Sequence, residues 1–245
     1  MKVRAQSTLE RFFMPKAVTY TSPNIAGFQF AALYSLGGVA GSFQTGRAYS
    51  VGAKYTNGTL LVGAAYINVN NAADSALASV GELYPANVRA YTAGASYKFG
   101  GLTAKASFAN FKANSVPVSV DPALANSTNT SVNIYSGGVD YFALPDLDLN
   151  GGVYYQQDRV NSGGHSVMGA IATQFFLSKR TSLYAQVGVV NNTCARDGVC
   201  LGSGLSVESG GSGVGGLQGL GTAAEGLGLP PGTTVGADVG IRMTF

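Results

Sequence analysis

The last thirteen residues of the chain constrain its fold more than any other feature, because apolar residues alternate there with polar residues and glycine. They read TTVGADVGIRMTF, and from Val235 onward every second residue is apolar, while Asp238 and Arg242 fall between them. Successive side chains of a β-strand point to opposite faces, so this pattern predicts a strand with one apolar and one polar face. Such a strand suits either a soluble sheet, whose apolar face covers a core, or a membrane-spanning β-barrel, whose apolar face contacts lipid.

The composition favours the membrane alternative. Charged residues make up 11% of the 245 residues, against about 25% in ordinary soluble proteins. So few charges would cover a water-exposed surface poorly. Glycine, with 35 residues, is also well above its usual share of about 7%. A secreted soluble β-sandwich is the competing interpretation, and it predicts more surface charge and large apolar residues at mid-strand.

Several other classes are excluded by what the sequence lacks. No run of about 18 apolar residues is present, so we predict no transmembrane helix. The net charge is +3 and the basic residues are scattered, which argues against a nucleic-acid partner. His165 is the only histidine, and no nucleophile–base pair is in view around it. We therefore expect no enzyme activity, no cofactor and no metal.

Hairpins repeat along the chain. Arg47–Val69 is similar to Arg89–Phe111 at an offset of 42 residues, and Asn133–Gln157 is similar to both. Each repeat reads as strand, tight turn, strand and longer polar loop, which is typical of consecutive β-hairpins. Short turns and long connections alternate throughout, and they separate eleven predicted strands. These lie near residues 16–22, 27–35, 47–55, 59–69, 89–99, 102–112, 131–142, 149–158, 165–177, 181–190 and 234–245.

Aromatic residues lie at the ends of the apolar rows. In one predicted strand Tyr49 and Tyr55 flank Val51 and Ala53, and Tyr91 to Phe99 follows the same order. Aromatic side chains at both ends of a strand, with small apolar residues between them, are typical of the two interfaces of a bilayer.

Four segments carry a family resemblance. AVTYTSPNIAGFQFAALYS, RAYSVGAKY, LSKRTSLYAQVGVV and the terminal VGIRMTF resemble the general porins of β-proteobacteria, a Gram-negative porin family. The resemblance covers nearly the whole chain from about Lys16. We therefore divide the chain into an unassigned N-terminal segment, 1–15, and a porin β-barrel portion, 16–245. The expected fold is all-β, a transmembrane antiparallel β-barrel of porin type.

The resemblance implies further properties. Members of the family are trimers, so a homotrimer is expected for a full-length chain, in the outer membrane of a Gram-negative bacterium and in contact with its lipid. About 11 of an expected 16 strands are present, which implies N-terminal truncation. The terminal Phe245 corresponds to the signal that the barrel assembly machinery reads. Residues 1–15 lack the apolar segment of an export signal.

Six charged residues lie on the polar side of the alternation in their strands. On a channel wall the basic ones would favour anions and the two aspartates would temper that preference. The other interpretation is that all six are ordinary solvated residues on a sheet face. The candidate pore-lining residues are Lys54, Lys98, Lys105, Asp140, Asp238 and Arg242.

The long stretch between Asn191 and Thr233 is rich in Gly and Ser and is predicted to be a flexible external loop. It contains Cys194 and Cys200, the two cysteines of the chain. A disulfide that closes a small loop is one interpretation in an oxidising compartment, and free thiols are another. A metal site has no support, because no histidine lies nearby.

These patterns predict an outer-membrane porin. Its function would be passive diffusion of small hydrophilic solutes and ions through a water-filled channel, with a slight anion preference. One alternative is a barrel that serves as an adhesin or binding surface through its long loops. These loops are rich in Gly, Ser and Ala rather than in the aromatic and arginine anchors of binding surfaces. Another alternative is a non-conducting truncated porin fragment.

Overall fold

The computed structural model describes residues 16–37, 41, 46–70, 87–114, 130–160, 164–193, 205–211, 219–222 and 232–243. Within these ranges the regular structure is all β. The strands are β1 (Ala17–Thr21), β2 (Phe28–Ser35), β3 (Ala48–Thr56), β4 (Leu60–Asn70), β5 (Asn87–Phe99), β6 (Leu102–Asn114), β7 (Thr130–Leu144), β8 (Leu147–Asp158), β9 (His165–Phe176), β10 (Thr181–Thr193), β11 (Leu205–Gly211), β12 (Gly219–Thr222) and β13 (Gly232–Met243).

Eleven of these strands form one antiparallel sheet in the order β1-β2-β3-β4-β5-β6-β7-β8-β9-β10-β13. They correspond, within a few residues at each end, to the eleven strands predicted from the alternation of the sequence. The predicted all-β antiparallel fold is therefore confirmed. Among the described residues, no helix is both long and apolar enough to cross a membrane.

Short turns join neighbouring strands where the sequence places Gly and Asn. Between β3 and β4 the Asn57 side-chain oxygen accepts hydrogen bonds from the backbone N–H groups of Thr59 (3.1 Å) and Leu60 (2.8 Å). Gly58 follows with φ +90°, a conformation that favours glycine. The sequence Thr56-Asn57-Gly58 thus fixes the hairpin through local chemistry.

The chain divides into two compact units. The first comprises Met1–Lys54, Ala64–Tyr91 and Phe111–Thr130. In it β1 pairs antiparallel with β2, from Ala17 opposite Ser35 to Thr21 opposite Ala31. A cluster of buried apolar side chains, extended by two partly buried ones, packs in the same unit. Its members are Ala48, Ile67, Val69 and Val88, joined by Ala90 and Phe111.

The second unit comprises Tyr55–Gly63, Thr92–Asn110 and Ser131–Phe245. Here β7, β8, β9, β10 and β13 pair antiparallel in that order. Its buried apolar cluster consists of Tyr154, Met168, Ala170 and Val190, with Ala172 packed against it.

The register of these strands brings their apolar positions together on one face of the sheet and their polar positions together on the other. Val153 of β8 lies opposite Gly137 of β7 and Gly169 of β9, and the intervening Gly152 lies opposite Gly138 and Ala170. Because the side-chain period of a strand is two, this register gives every strand the same two faces. We call them the apolar face, which includes Val153, and the polar face, which includes Gly152.

Two predictions about the connections are corrected. The turn predicted over 143–148 is shorter, because β7 continues to Leu144 and β8 starts at Leu147. A register irregularity between Phe142 and Leu144 lets the two strands extend this far. The stretch predicted as a loop between β10 and β13 contains a small antiparallel sheet of β11 and β12. β11 begins with Leu205 and Val207 in alternation with polar residues, but this pattern is only four residues long and is surrounded by Gly and Ser, so no strand was predicted here.

Candidate functional site

The polar face of the second unit carries a row of hydrogen-bonding side chains at the middle of its strands. Register places Asp140 opposite Asn150, and Gln186 opposite Asp238. Ala172 lies between Asn150 and Gln186 in the same row. Four of these five neighbouring strands thus contribute a carboxylate or an amide side chain to the row. We call this row the polar row.

Lys105 and Asp140, two of the predicted site residues, form an ion pair across β6 and β7. Their side chains are 40% and 26% exposed, so the pair lies in contact with solvent. The neighbouring Ser107 and Ser136 hydroxyls are 2.6 Å apart and continue the polar contact along the two strands. Lys105 therefore contributes less free positive charge than its sequence position alone indicated.

Asp238 has partners on the neighbouring strand. The Gln186 side-chain amide donates to its carboxylate at 3.4 Å, and the Tyr184 hydroxyl interacts with the same group. The Tyr184 ring lies over Gly240, where an added Cβ would come 2.6 Å from the tyrosine oxygen. Glycine at this position makes room for the ring, so Tyr184 is held against the strand rather than extended away from it.

Asp148 is a further charged residue of the polar face, and it was not among the predicted site residues. It belongs to β8, lies opposite Gln174 and Phe142, and interacts electrostatically with Asp140 and Lys105. The predicted strand bounds placed Asp148 in the turn between residues 142 and 149. The alternation of Leu147 and Leu149 with Asp148 and Asn150 is the signal that would have placed it on the polar face.

The other predicted basic residues are exposed. Lys54, Lys98 and Arg242 make no ion pair within the part of the chain that the structure describes. Arg242 lies opposite Ser182 on β10, and the backbone N–H of Lys98 donates to the Thr59 carbonyl at 2.9 Å. All three side chains are exposed to solvent.

Three of the predicted residues lie outside the described ranges. They are the predicted assembly signal Phe245 and the two cysteines Cys194 and Cys200. The assembly role and the disulfide therefore stay predictions.

The apolar face of the same strands bears large exposed side chains. Val153 is 63% exposed, Ile171 64% and Val239 76%. Soluble proteins rarely expose a contiguous apolar surface of this kind, whereas membrane barrels present one to lipid. Among the described residues, no group of three or more His, Cys, Asp or Glu could hold a metal ion. The two faces of the sheet thus differ sharply in polarity.

Comparison with known proteins agrees with this geometry. The sequence model of the Gram-negative porin family matches residues 13–195. No curated protein matches the chain. Among solved structures, in-vitro folded OmpT, an outer membrane protein of Vibrio cholerae, is similar with a TM-score of 0.62 and 11% identity, over 93% of this chain and 63% of its own.

Two further structures share the fold. OmpT in trimer form has a TM-score of 0.59 and 10% identity, over 92% of this chain and 64% of that chain. The outer membrane channel DcaP of Acinetobacter baumannii has a TM-score of 0.51 and 15% identity, over 75% and 58% of the two chains. The chain thus spans less than two thirds of the length of these structures. The porin-type fold expected from the sequence is confirmed.

The family match extends over most of the chain, including the strands that carry Lys105 and Asp140. The chain therefore belongs to the Gram-negative porin family, and its location is the outer membrane of a Gram-negative bacterium.

Proposed function

We propose that the polar face lines a water-filled channel and that small hydrophilic solutes and ions diffuse through it passively. The observation that carries this proposal is the separation of the two faces, residue by residue. Along β8 the exposed Val153 faces the opposite way from Asn150 and Gly152, and β7, β9, β10 and β13 keep the same order. Apolar side chains then meet lipid and polar side chains meet water. Membership of a porin family supports an outer-membrane channel.

The proposed transport has no catalytic step. Channel width and wall charge set the barrier for each solute. Lys54, Lys98 and Arg242 are cations without an ion-pair partner in the described ranges, whereas the Lys105 charge is matched by Asp140. Asp148 and Asp238 offset part of the remaining positive charge. This balance supports a slight preference for anions.

The proposed partners follow from the membrane location. The apolar face contacts outer-membrane lipid, and Phe245 is the signal for the barrel assembly machinery. A homotrimer is the proposed assembly of the full-length protein, and the trimer form of OmpT supports it. The chain spans 63% of the length of OmpT.

Swelling of vesicles tests the diffusion proposal. The chain is refolded in detergent, reconstituted into lipid vesicles and transferred to isotonic solutions of sugars of increasing size. We expect swelling that is fast with the smallest sugar and slower with each larger one, since a water-filled channel sieves by size. Vesicles without protein are the control. Swelling no faster than this control, with protein that is folded and inserted, would rule out the channel.

A matched pair of variants tests the charge preference. Reversal potentials in a KCl gradient are measured for the chain, for Arg242→Gln and for Lys179→Gln. Lys179 lies in the exposed turn between β9 and β10, away from the polar row. Arg242→Gln should shift the reversal potential toward cation preference, and Lys179→Gln should shift it less. Equal shifts would show that Arg242 does not act through the channel wall.

A further inference from the structure

Two arginines lie beside tyrosines on one face of the first unit. Arg47 directly precedes β3, and Arg89 is the third residue of β5. Each lies two residues before a tyrosine, Tyr49 or Tyr91, and therefore on the same face of its strand. Two residues beyond Tyr49, Val51 is 52% exposed on this face. Along β3 the face thus changes from apolar to aromatic to basic toward the start of the strand.

The opposite face of these strands packs in the core of the unit. Ala48, between Arg47 and Tyr49, is 0% exposed, and Val88, directly before Arg89, is 5% exposed. Both belong to the buried apolar cluster of the first unit. Arg89 itself is exposed. The two arginines therefore lie on the side of the sheet that faces away from this core.

A hydrogen-bonded series of side chains orients the Arg89 guanidinium group. Its Nε donates to Asn87 Oδ1 at 2.9 Å. Asn87 Nδ2 in turn donates to Asn68 Oδ1 at 3.3 Å, and Asn68 Nδ2 donates to the Tyr66 hydroxyl at 3.3 Å. The Tyr66 and Tyr49 ring centroids are 5.9 Å apart, which links β3 to this series. Among the described residues only Nε of Arg89 is used, so the terminal N–H groups of its guanidinium are available to a ligand.

The positive charge on this face has no carboxylate partner in the described part of the first unit. That part contains no aspartate or glutamate, and neither arginine forms an ion pair there. Arg47 and Arg89 both interact electrostatically with the Tyr49 hydroxyl, so their charges act on the same place. The Arg47 Nε is buried and has no hydrogen-bond partner among the described residues. A buried donor without a partner is costly, and an anionic acceptor would satisfy it.

We propose that Arg47 and Arg89 bind the phosphate group of an anionic lipid, whose acyl chains lie along the apolar residues of the same face. This inference rests on the proposed function, because it treats exposed apolar side chains such as Val51 as lipid-facing. Guanidinium groups bind phosphate oxygens through paired N–H donors. Basic residues just outside the hydrocarbon attract anionic headgroups, and tyrosines such as Tyr49 lie at the boundary between the two regions.

Native mass spectrometry of the refolded chain in detergent measures lipid binding. The chain is titrated with phosphatidic acid, which carries an exposed phosphate, or with phosphatidylcholine, whose choline cancels the phosphate charge. We expect the first phosphatidic acid to bind at least about fivefold more tightly than phosphatidylcholine, which is the contribution of one basic residue near a membrane surface. Equal affinity for the two lipids would overturn the proposal.

Substitutions locate the site on the chain. Arg47→Gln and Arg89→Gln should each weaken the preference for phosphatidic acid, and the double variant should bind the two lipids equally. Lys54→Gln is the matched control, because it removes the same charge from β3 on the side of Ala48. A loss for Lys54→Gln equal to that for Arg47→Gln would show that net charge, not this site, attracts the lipid.

A charge-conserving variant tests the role of the guanidinium groups. Arg47→Lys combined with Arg89→Lys keeps both charges but removes the paired donors, so it should bind phosphatidic acid more weakly than the unmodified chain. Unchanged affinity would contradict recognition by the guanidinium groups. Inorganic phosphate in excess should leave the lipid bound, since the acyl chains add to its affinity. Displacement would show that the site takes free phosphate instead.

Swelling of phosphatidylcholine vesicles that contain the same proteins separates this inference from the proposed channel, and it shows whether each variant is folded. Size-dependent swelling of the unmodified chain without a lipid preference would overturn the lipid site and leave the channel. A lipid preference without swelling would contradict the channel and leave the lipid site.

Discussion

Gly138 and Gly169 differ in the space around their backbones, although both lie in the middle of the sheet. A Cβ added at Gly138, on the polar face, would come 2.8 Å from the carbonyl oxygen of Gly151 on the neighbouring strand. A Cβ added at Gly169, on the apolar face, would meet nothing within 4 Å. Glycine at the first position is therefore required by the close approach of two strands, and at the second it is not.

The matched substitutions Gly138→Ala and Gly169→Ala separate these cases. Gly138→Ala should lower the free energy of unfolding by about 1–3 kcal/mol, because backbone atoms must shift to admit the methyl group. Gly169→Ala should change it by less than about 0.5 kcal/mol. Urea unfolding from lipid vesicles measures both. Equal losses would contradict the strand spacing described for β7 and β8.

The ion pair of Lys105 and Asp140 gives a second prediction at this scale. Asp140→Asn leaves the Lys105 charge unmatched and should increase anion preference, while Lys105→Gln should decrease it. The double variant should return close to the original reversal potential. Because the pair is partly exposed, its loss should alter stability by less than about 1 kcal/mol. Shifts of the same sign in the two single variants would contradict the pairing on a channel wall.

Within a single strand, β8, one side chain tests the apolar face of the sheet and another tests the polar face. Val153 is 63% exposed on the apolar face at mid-strand, and Asn150 lies on the polar face beside Asp140. Val153→Lys places a charge in the hydrocarbon, which should cost about 2–4 kcal/mol of folding free energy in vesicles. Asn150→Lys places the same charge near two carboxylates.

The second substitution is thus the control, and it should change the folding free energy little. Urea-dependent folding into vesicles of one lipid composition compares the two variants directly. A loss for Asn150→Lys as large as that for Val153→Lys would mean that the faces are not in different media. Both variants introduce a lysine into β8, so a difference between their folding free energies reflects the face on which the lysine lies.

The eleven strands of the large sheet were predictable from the sequence, and so was the alternation of their two faces. In the stretch that ends at Met243, for example, apolar and polar residues alternate, and this alternation can be read directly from the sequence. The pairing of Lys105 with Asp140 was not predictable, because it depends on the register of two strands that are 35 residues apart at this pair. The strands β11 and β12 were missed because the alternation in β11 is only four residues long and β12 consists of only four residues, two of them glycine.

At the scale of the molecule, the scarcity of charge and the repeated hairpins predicted the class of protein, and the family match confirms it. The sequence could not indicate which of the predicted site charges form ion pairs, because pairing depends on the register of the strands. The structure pairs Lys105 and leaves Lys54, Lys98 and Arg242 without an ion pair in the described ranges.

Ionic strength provides a prediction at this scale. The Debye length falls from about 10 Å at 0.1 M to about 3 Å at 1 M salt, so wall charges act over shorter distances as salt rises. The anion preference, measured as a permeability ratio from reversal potentials, should therefore be weaker near 1 M KCl than near 0.1 M KCl. A ratio independent of salt would show that selectivity does not arise from these exposed charges.

The most direct test of a water-filled channel is the single-channel conductance of the refolded chain in planar lipid bilayers. We expect discrete current steps of uniform size, with a reversal potential in a KCl gradient that indicates a preference for anions. Folded protein that is inserted in the bilayer but gives no current steps would contradict the claim that its polar face lines an open channel.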